Sequence, residues 1–151
     1  MHVQGATVDE AVRLTVVISA APDMLWAMLT DKTHLARWWG YATLDPIAGG
    51  AFREVWNNGE REVVTSGTVT EIEPPRCLAM IWADDDWPGA TRLSLTITAQ
   101  PDGTCRLDLA HEGWSVLPPE KRRRLISDHE NGWKHHLGNL AAYAQALPEP
   151  S

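Results

Sequence analysis

The sequence predicts an α+β domain in which an antiparallel sheet of seven strands carries one long C-terminal helix across its apolar face. Three observations predict it. Short segments alternate apolar and polar residues at the period of a strand, and turn signals separate most of them. Two short helical segments interrupt the series after the first strand. In the last stretch, Pro119 to Leu147, the period changes: Ile126, Trp133, Leu137, Leu140 and Ala144 recur at multiples of three and four. On a helix those five fall within about 60° of one another. Such a helix is roughly 40 Å long and is the one element able to cover the sheet.

Ala11 to Ser19 alternates Val12, Leu14, Val16 and Ile18 against Arg13, Thr15 and Val17, a strand with one buried face. Pro22 suits a first helical turn, and Leu25, Trp26, Met28 and Leu29 form a short amphipathic helix. Thr30-Asp31 reads as the cap of a second helix over Lys32 to Trp39, closed by Gly40. Tyr41 to Ile47 is a weak strand. Ala51 to Trp56 follows, and Asn57-Asn58-Gly59-Glu60 turns the chain into a long returning strand, Arg61 to Ile72, expected to bend at Gly67. Glu73-Pro74-Pro75-Arg76 must be a turn, because two prolines cannot serve a ladder. Cys77 to Ala83, Ala90 to Ala99 and Thr104 to His111 complete the meander, with loops at 84–89, 100–103 and 112–118. One domain over 11–147 is expected, with an N-terminal tail at 1–10 and a C-terminal tail at 148–151.

Thirteen basic against twenty acidic residues give a net charge of −7, which opposes binding to a phosphate backbone. The basic run Lys121 to Arg124 reads as a solvated first turn rather than a nucleic-acid patch. No apolar run is long enough to span a bilayer, and the first residues lack the basic start and apolar core of a secretory signal. A cytoplasmic protein is expected. Cys77 and Cys105 have no CxxC spacing and should start strands separated by a third, so two free thiols are predicted.

Eight tryptophans against one phenylalanine and two tyrosines suggest either an indole-rich core or the walls of a pocket. Trp56, Trp82 and Trp133 fall on inward positions, whereas Trp38, Trp87 and Trp114 lie in or beside loops that would rim an entrance. The helix's apolar stripe breaks between Ile126 and Trp133, and His129 and Glu130 flank the gap. His111 ends a strand on its inward face.

The order of elements, together with particular words, resembles the helix-grip superfamily related to START and Bet v 1 proteins. Within it, the chain is most similar to the domain homologous to the C-terminal half of the activator of Hsp90 ATPase. The words are Ile18-Ser19-Ala20-Ala21-Pro22, Leu25 to Asp31, Leu35-Ala36-Arg37-Trp38-Trp39, Gly49-Gly50-Ala51-Phe52, Gly67 to Leu78 running into Trp82, and Gly132-Trp133 with Leu137 and Leu140. The resemblance implies a strongly curved sheet gripping the C-terminal helix, with a cavity between them for lipids, hormones, polyketides or other apolar molecules. Some members of the superfamily are cyclases or hydrolases, but they share no catalytic motif to carry over. The eukaryotic activator has a further N-terminal domain for which 151 residues leave no room, so a chaperone partner is not expected.

If strand end and helix meet as the resemblance implies, His111, His129 and Glu130 converge in the cavity, where two imidazoles and a carboxylate would orient a ligand or move a proton. His129 and His136, two helical turns apart, are about 10 Å distant and cannot chelate one zinc ion. Asp84-Asp85-Asp86 lacks calcium-loop spacing and reads as solvated loop. There is no GxSxG and no glycine-rich phosphate loop. The reading is a binding module with no metal and no cofactor, rather than an enzyme. Its partner is a small apolar or aromatic molecule, held by Trp56, Trp82, His111, Trp114, His129, Glu130, Trp133 and Leu137. A homodimer is compatible with it; nucleic acid and a membrane span are not. The alternatives are an enzyme of the same fold using the cavity His and Glu as acid and base, and a chaperone-interacting module.

Overall fold

The computed structural model describes residues 3–8 and 11–147. Eight strands form one antiparallel sheet: β1 (Val3–Val8), β2 (Ala11–Ile18), β3 (Ala42–Leu44), β4 (Ala51–Asn57), β5 (Glu62–Glu73), β6 (Cys77–Asp84), β7 (Thr91–Ala99) and β8 (Cys105–Glu112). Their spatial order is β1-β2-β8-β7-β6-β5-β4-β3. Helices α1 (Pro22–Thr30) and α2 (Lys32–Trp38) connect β2 to β3, and α3 (Pro119–Ala146) ends the domain. None of these helices is long and apolar enough to cross a membrane.

All seven expected strands are present. The correction lies at the N-terminus, where the expected tail contains β1. Without it, β2 would expose the backbone groups of its outer edge; β1 pairs with that edge from Val3↔Val16 to Val8↔Ala11. The expected C-terminal tail lies outside the described residues.

The local chemistry explains how the elements meet. Asp31 ends α1 and begins α2: its N–H donates to the Ala27 carbonyl, while its carboxylate accepts from the Thr33 and His34 N–H groups at 2.9 and 3.4 Å. In the β4–β5 loop the Asn58 side chain accepts from the N–H groups of Glu60 and Arg61, both at 2.9 Å. The irregularity in β5 falls at Val69/Glu71 rather than at Gly67. Val69 pairs with Met80 and Ile72 with Leu78, so the bulge switches the inward positions from odd to even residue numbers. Gly67 serves a different end: a Cβ there would sit 2.5 Å from the Ile81 carbonyl oxygen. Its missing side chain lets Phe52 and Trp82, its partners on either side, stack with ring centroids 5.0 Å apart.

The core fills the space between the sheet's inner face and the helices. α3 contributes Ile126, Trp133, Leu137, Leu140 and Ala144, the expected stripe, with Ala141 beside them. It packs against β2 and α2. At the surface α2 is joined to α3 by His34 Nδ1 and the Tyr143 hydroxyl, 2.6 Å apart, with the two rings edge to face. Cys105 is buried, Cys77 is half-buried, and both are free thiols.

Candidate ligand-binding site

Between the sheet and α3 lies a cavity. Its floor comes from β4, β6, β7 and β8 through Phe52, Leu78, Met80, Trp82, Leu93, Leu95 and Leu109. α3 supplies Trp133, His136 and Leu137, and the segment from α1 to β3 closes it with Leu29, Leu35, Trp38, Trp39 and Leu44. The aromatic walls stand close: Trp82 to Trp133 is 5.1 Å between centroids, Trp39 to Phe52 5.3 Å, Trp39 to Trp133 5.5 Å, and Trp39 to His136 4.5 Å. What remains open to the centre of a water molecule is about 30 Å³, room for one or two waters.

Beside this cavity the polar groups form two sets. The first is centred on His111, which is wholly buried. Trp133 Nε1–H donates to His111 Nδ1 at 3.0 Å. An indole N–H only donates, so Nδ1 must carry the lone pair and Nε2 the proton. Nε2–H therefore donates to Thr91 Oγ1 at 2.6 Å, and the Thr91 hydroxyl passes its own proton to the Trp82 carbonyl at 2.7 Å. Trp114 Nε1–H donates to the His111 carbonyl at 2.8 Å. Burial holds the His111 imidazole well below its ordinary pKa, and neighbouring His129 adds to the shift. The ring is a neutral structural hub with both nitrogens engaged.

The second set is a polar row that the sequence reading missed. Glu54, Thr65 and Asp84 are direct partners across β4, β5 and β6, and all three are buried. Trp39 Nε1–H donates to Glu54 at 2.8 Å, Trp56 Nε1–H to Thr65 Oγ1 at 2.9 Å, and the Thr65 hydroxyl to Asp84 at 2.6 Å. Burial pushes the Glu54 carboxyl up; the Trp39 hydrogen bond opposes this and the nearby Asp84 charge adds to it. Burial also raises Asp84, opposed by the Thr65 bond and by His129. The signal was available, since Asp84 continues the inward parity of Leu78, Met80 and Trp82. Only Asp85 and Asp86 behave as solvated loop, both paired with Arg61.

The residues named from sequence divide accordingly. Trp82, Trp133 and Leu137 line the cavity; Trp56, His111, Trp114, His129 and Glu130 do not. Trp114, expected at a rim, is 1 % exposed, because Gly113 enters at φ +86° and a single 3₁₀ turn folds the indole inward. Trp38 is buried too, its Nε1–H on the Met28 carbonyl at 2.8 Å, and Trp87 packs on Trp114 and His129. His129 approaches His111 to 5.4 Å between centroids and donates through Nδ1 to the Leu125 carbonyl at 2.9 Å. Burial lowers its pKa, with the Leu125 bond and Asp84 opposing. Glu130 lies 3.6 Å from Lys134 Nζ, one turn along the helix. The expected convergence of His111, His129 and Glu130 is thus corrected: successive residues on a helix diverge by 100°, and only His129 turns toward His111. His136, named from sequence only as a poor zinc ligand, lines the cavity; burial and neighbouring His135 lower its pKa to about 4. At the surface, Glu71, Glu73 and Cys77 bring ligand atoms within 4.8 Å of one another, with Glu73 ion-paired to Arg76.

With that geometry in view, the family model for "Activator of Hsp90 ATPase homolog 1-like protein" matches residues 19–145. The chain belongs to this family. Its sheet and C-terminal helix have the family's helix-grip arrangement, which solved structures share. A protein of Rhodobacter sphaeroides aligns with a TM-score of 0.77 at 24 % identity, over 97 % of this chain and all (100 %) of its own. CalU16 from Micromonospora echinospora gives 0.69 at 21 %, over 96 % and 85 %. DynU16, from the dynemicin biosynthetic locus, gives 0.72 at 21 %, over 92 % of this chain and 48 % of its own length. At these identities the likeness concerns fold. No curated protein sequence matches the chain.

Proposed function

We propose that this AHSA1-like domain binds a small apolar or aromatic molecule between its sheet and α3. The observation that carries the reading is the cavity itself, lined by aliphatic and indole side chains with His136 as the one titratable group in the wall. DynU16's origin in a biosynthetic locus is in keeping with such a role. With only about 30 Å³ open to the centre of a water molecule the empty cavity is narrow, and a ligand larger than a single ring enters it by opening a wall. The wall most readily moved is Leu35, Trp38, Trp39 and Leu44. These residues sit on the seven-residue α2, the three-residue edge strand β3 and the chain between them, not on the central strands.

Native mass spectrometry of the purified protein, followed by quenching of its tryptophan fluorescence with a panel of apolar compounds, tests this. A co-purifying mass or saturable quenching is expected. Neither, with the cavity unchanged at high ligand concentration, would refute it.

A second reading, acid–base chemistry, draws on Asp84 and His129. Burial favours a proton on Asp84, and His129, donating through Nδ1, keeps its Nε2 lone pair. A ligand whose mass changes on incubation, and no longer does so in Asp84→Asn, would establish it. A ligand recovered unaltered from the wild type ends it.

A further inference from the structure

Of the residues that line the cavity, Trp39 alone lies in neither helix nor strand: it follows the last turn of α2 as its C-cap, at φ −130° and ψ 52°. Its side chain is nonetheless enclosed by other rings. His136 lies against it, tilted by 33° at 4.5 Å between centroids, while Phe52, Trp133 and Trp82 stand 5.3, 5.5 and 6.3 Å away. At the edge of the indole, Nε1–H donates to the Glu54 carboxylate at 2.8 Å, and no other hydrogen bond reaches that carboxylate among the described residues. A flat ring laid on an imidazole, walled by indoles, with its one polar atom on a buried acceptor, is the arrangement of a bound aromatic ligand. Here the ligand is tethered to the chain.

Element ends are where a packed wall gives way, and Trp39 is the lining residue at such an end. Withdrawing it vacates an indole-sized space and strips Glu54 of its donor. That space is bounded by the groups now in contact with the indole, so a molecule taking it over reaches Glu54 as Trp39 does. Glu54 is buried, and a buried acceptor left unpaired costs free energy, so a hydrocarbon restores the packing but not the hydrogen bond. An anion in the same place meets the Glu54 carboxylate, with Asp84 two strands beyond it. An aromatic N–H restores both packing and hydrogen bond. We infer that Trp39 is a resident plug, and that the site takes a flat bicyclic aromatic molecule with an N–H donor on its rim, which displaces the indole and donates to Glu54 in its stead. This rests on the cavity being the ligand site and names the class of molecule that opens it.

The test titrates the full-length, ¹⁵N-labelled chain with 3-methylindole and 1-methylindole, isomers of one bulk that differ in whether the ring N–H is free. The Trp39 indole resonance is identified as the one missing from Trp39→Phe. Expected are binding of 3-methylindole at least about five-fold tighter than 1-methylindole, the margin of one hydrogen bond, and movement of the Trp39 resonance to a solvent-exposed position as the site fills. Glu54→Gln, whose amide oxygen still accepts, should keep the preference, whereas Glu54→Met should lose it while both isomers still bind. Trp39→Ala removes the plug and should bind 3-methylindole more tightly than the wild type does. Equal binding of the two isomers to the wild type, or a Trp39 resonance that neither moves, overturns the plug and leaves an apolar site standing. If neither isomer binds the wild type, the inference falls; Trp39→Ala then separates a sealed cavity, which binds, from no site at all. Should Trp39→Ala or Glu54→Met fail to fold, the wild-type titration decides.

Discussion

His111 shows how much of a residue's role is written by its distant partners. Its place on the inner face was legible from the parity of the last strand. Its role was not, because Thr91 and Trp133 lie 20 and 22 residues away in sequence, on another strand and on the helix. Fully engaged on both nitrogens, the ring has no lone pair left for catalysis. The same wiring makes Thr91 a sensitive position: replacing it with the near-isosteric Val strands the His111 Nε2–H in an apolar setting. Thr91→Val should therefore cost about 1–3 kcal/mol, read as a lower urea midpoint with an unchanged slope. A variant as stable as the wild type would show that the hydrogen-bonded chain is ornamental. Asp84 shows the reverse case: an acidic triplet looks like a solvated loop until strand parity is carried one residue further.

Elements were more legible than residues. Alternation and turn signals located seven strands, and the stripe on α3 named five of its six buried positions. Residues 3–8 escaped because a strand containing Gln and Gly, with no tight-turn word after it, has little local signal; its reason for pairing is the open edge of β2. The Val69/Glu71 bulge escaped for a similar reason. A bulge is fixed by the register of two strands, and neither strand announces it alone. Capping chemistry, by contrast, is local. Asp31 was identified as a cap and is one, and it also marks the joint between two helices. Asp31→Ala should lower stability by about 0.5–2 kcal/mol, whereas Asp31→Asn or Asp31→Ser should recover most of it in the same denaturation series.

At the scale of the whole molecule, buried ionisable groups pull stability in opposite directions. His111, His129 and His136 all have lowered pKa values. The unfolded chain binds their protons first, so the stability they confer is complete above the ordinary imidazole value of 6.5 and is lost as pH falls toward the folded values, about 4 for His136. Glu54 and Asp84 are raised, so their contribution is complete below their unfolded values and is lost as pH rises through the folded ones. The histidine shifts are the larger, with His111 held well below its ordinary value and His136 at about 4, so the thermal midpoint is expected to fall between pH 7 and pH 5. Glu54→Gln separates the two effects, since the amide oxygen still accepts from Trp39 and carries no charge. The variant should match or exceed wild-type stability at pH 7 to 8, converge on it in acid, and show a steeper fall between those limits. A wild type that gains stability on acidification would mean that the carboxylates dominate.

The contact between His34 and Tyr143 has a bearing on timing. It fastens α2, which carries part of the movable wall, to the outer side of α3 with a single 2.6 Å bond. A fastening made in both the empty and the filled state leaves their free-energy difference nearly untouched while slowing passage between them. It is a latch on the door, and has no part in the grip on the guest. Tyr143→Phe is accordingly expected to speed both entry and escape in stopped-flow quenching, with little change in affinity. A change in affinity with no change in entry rate would assign the hydroxyl to the bound state instead.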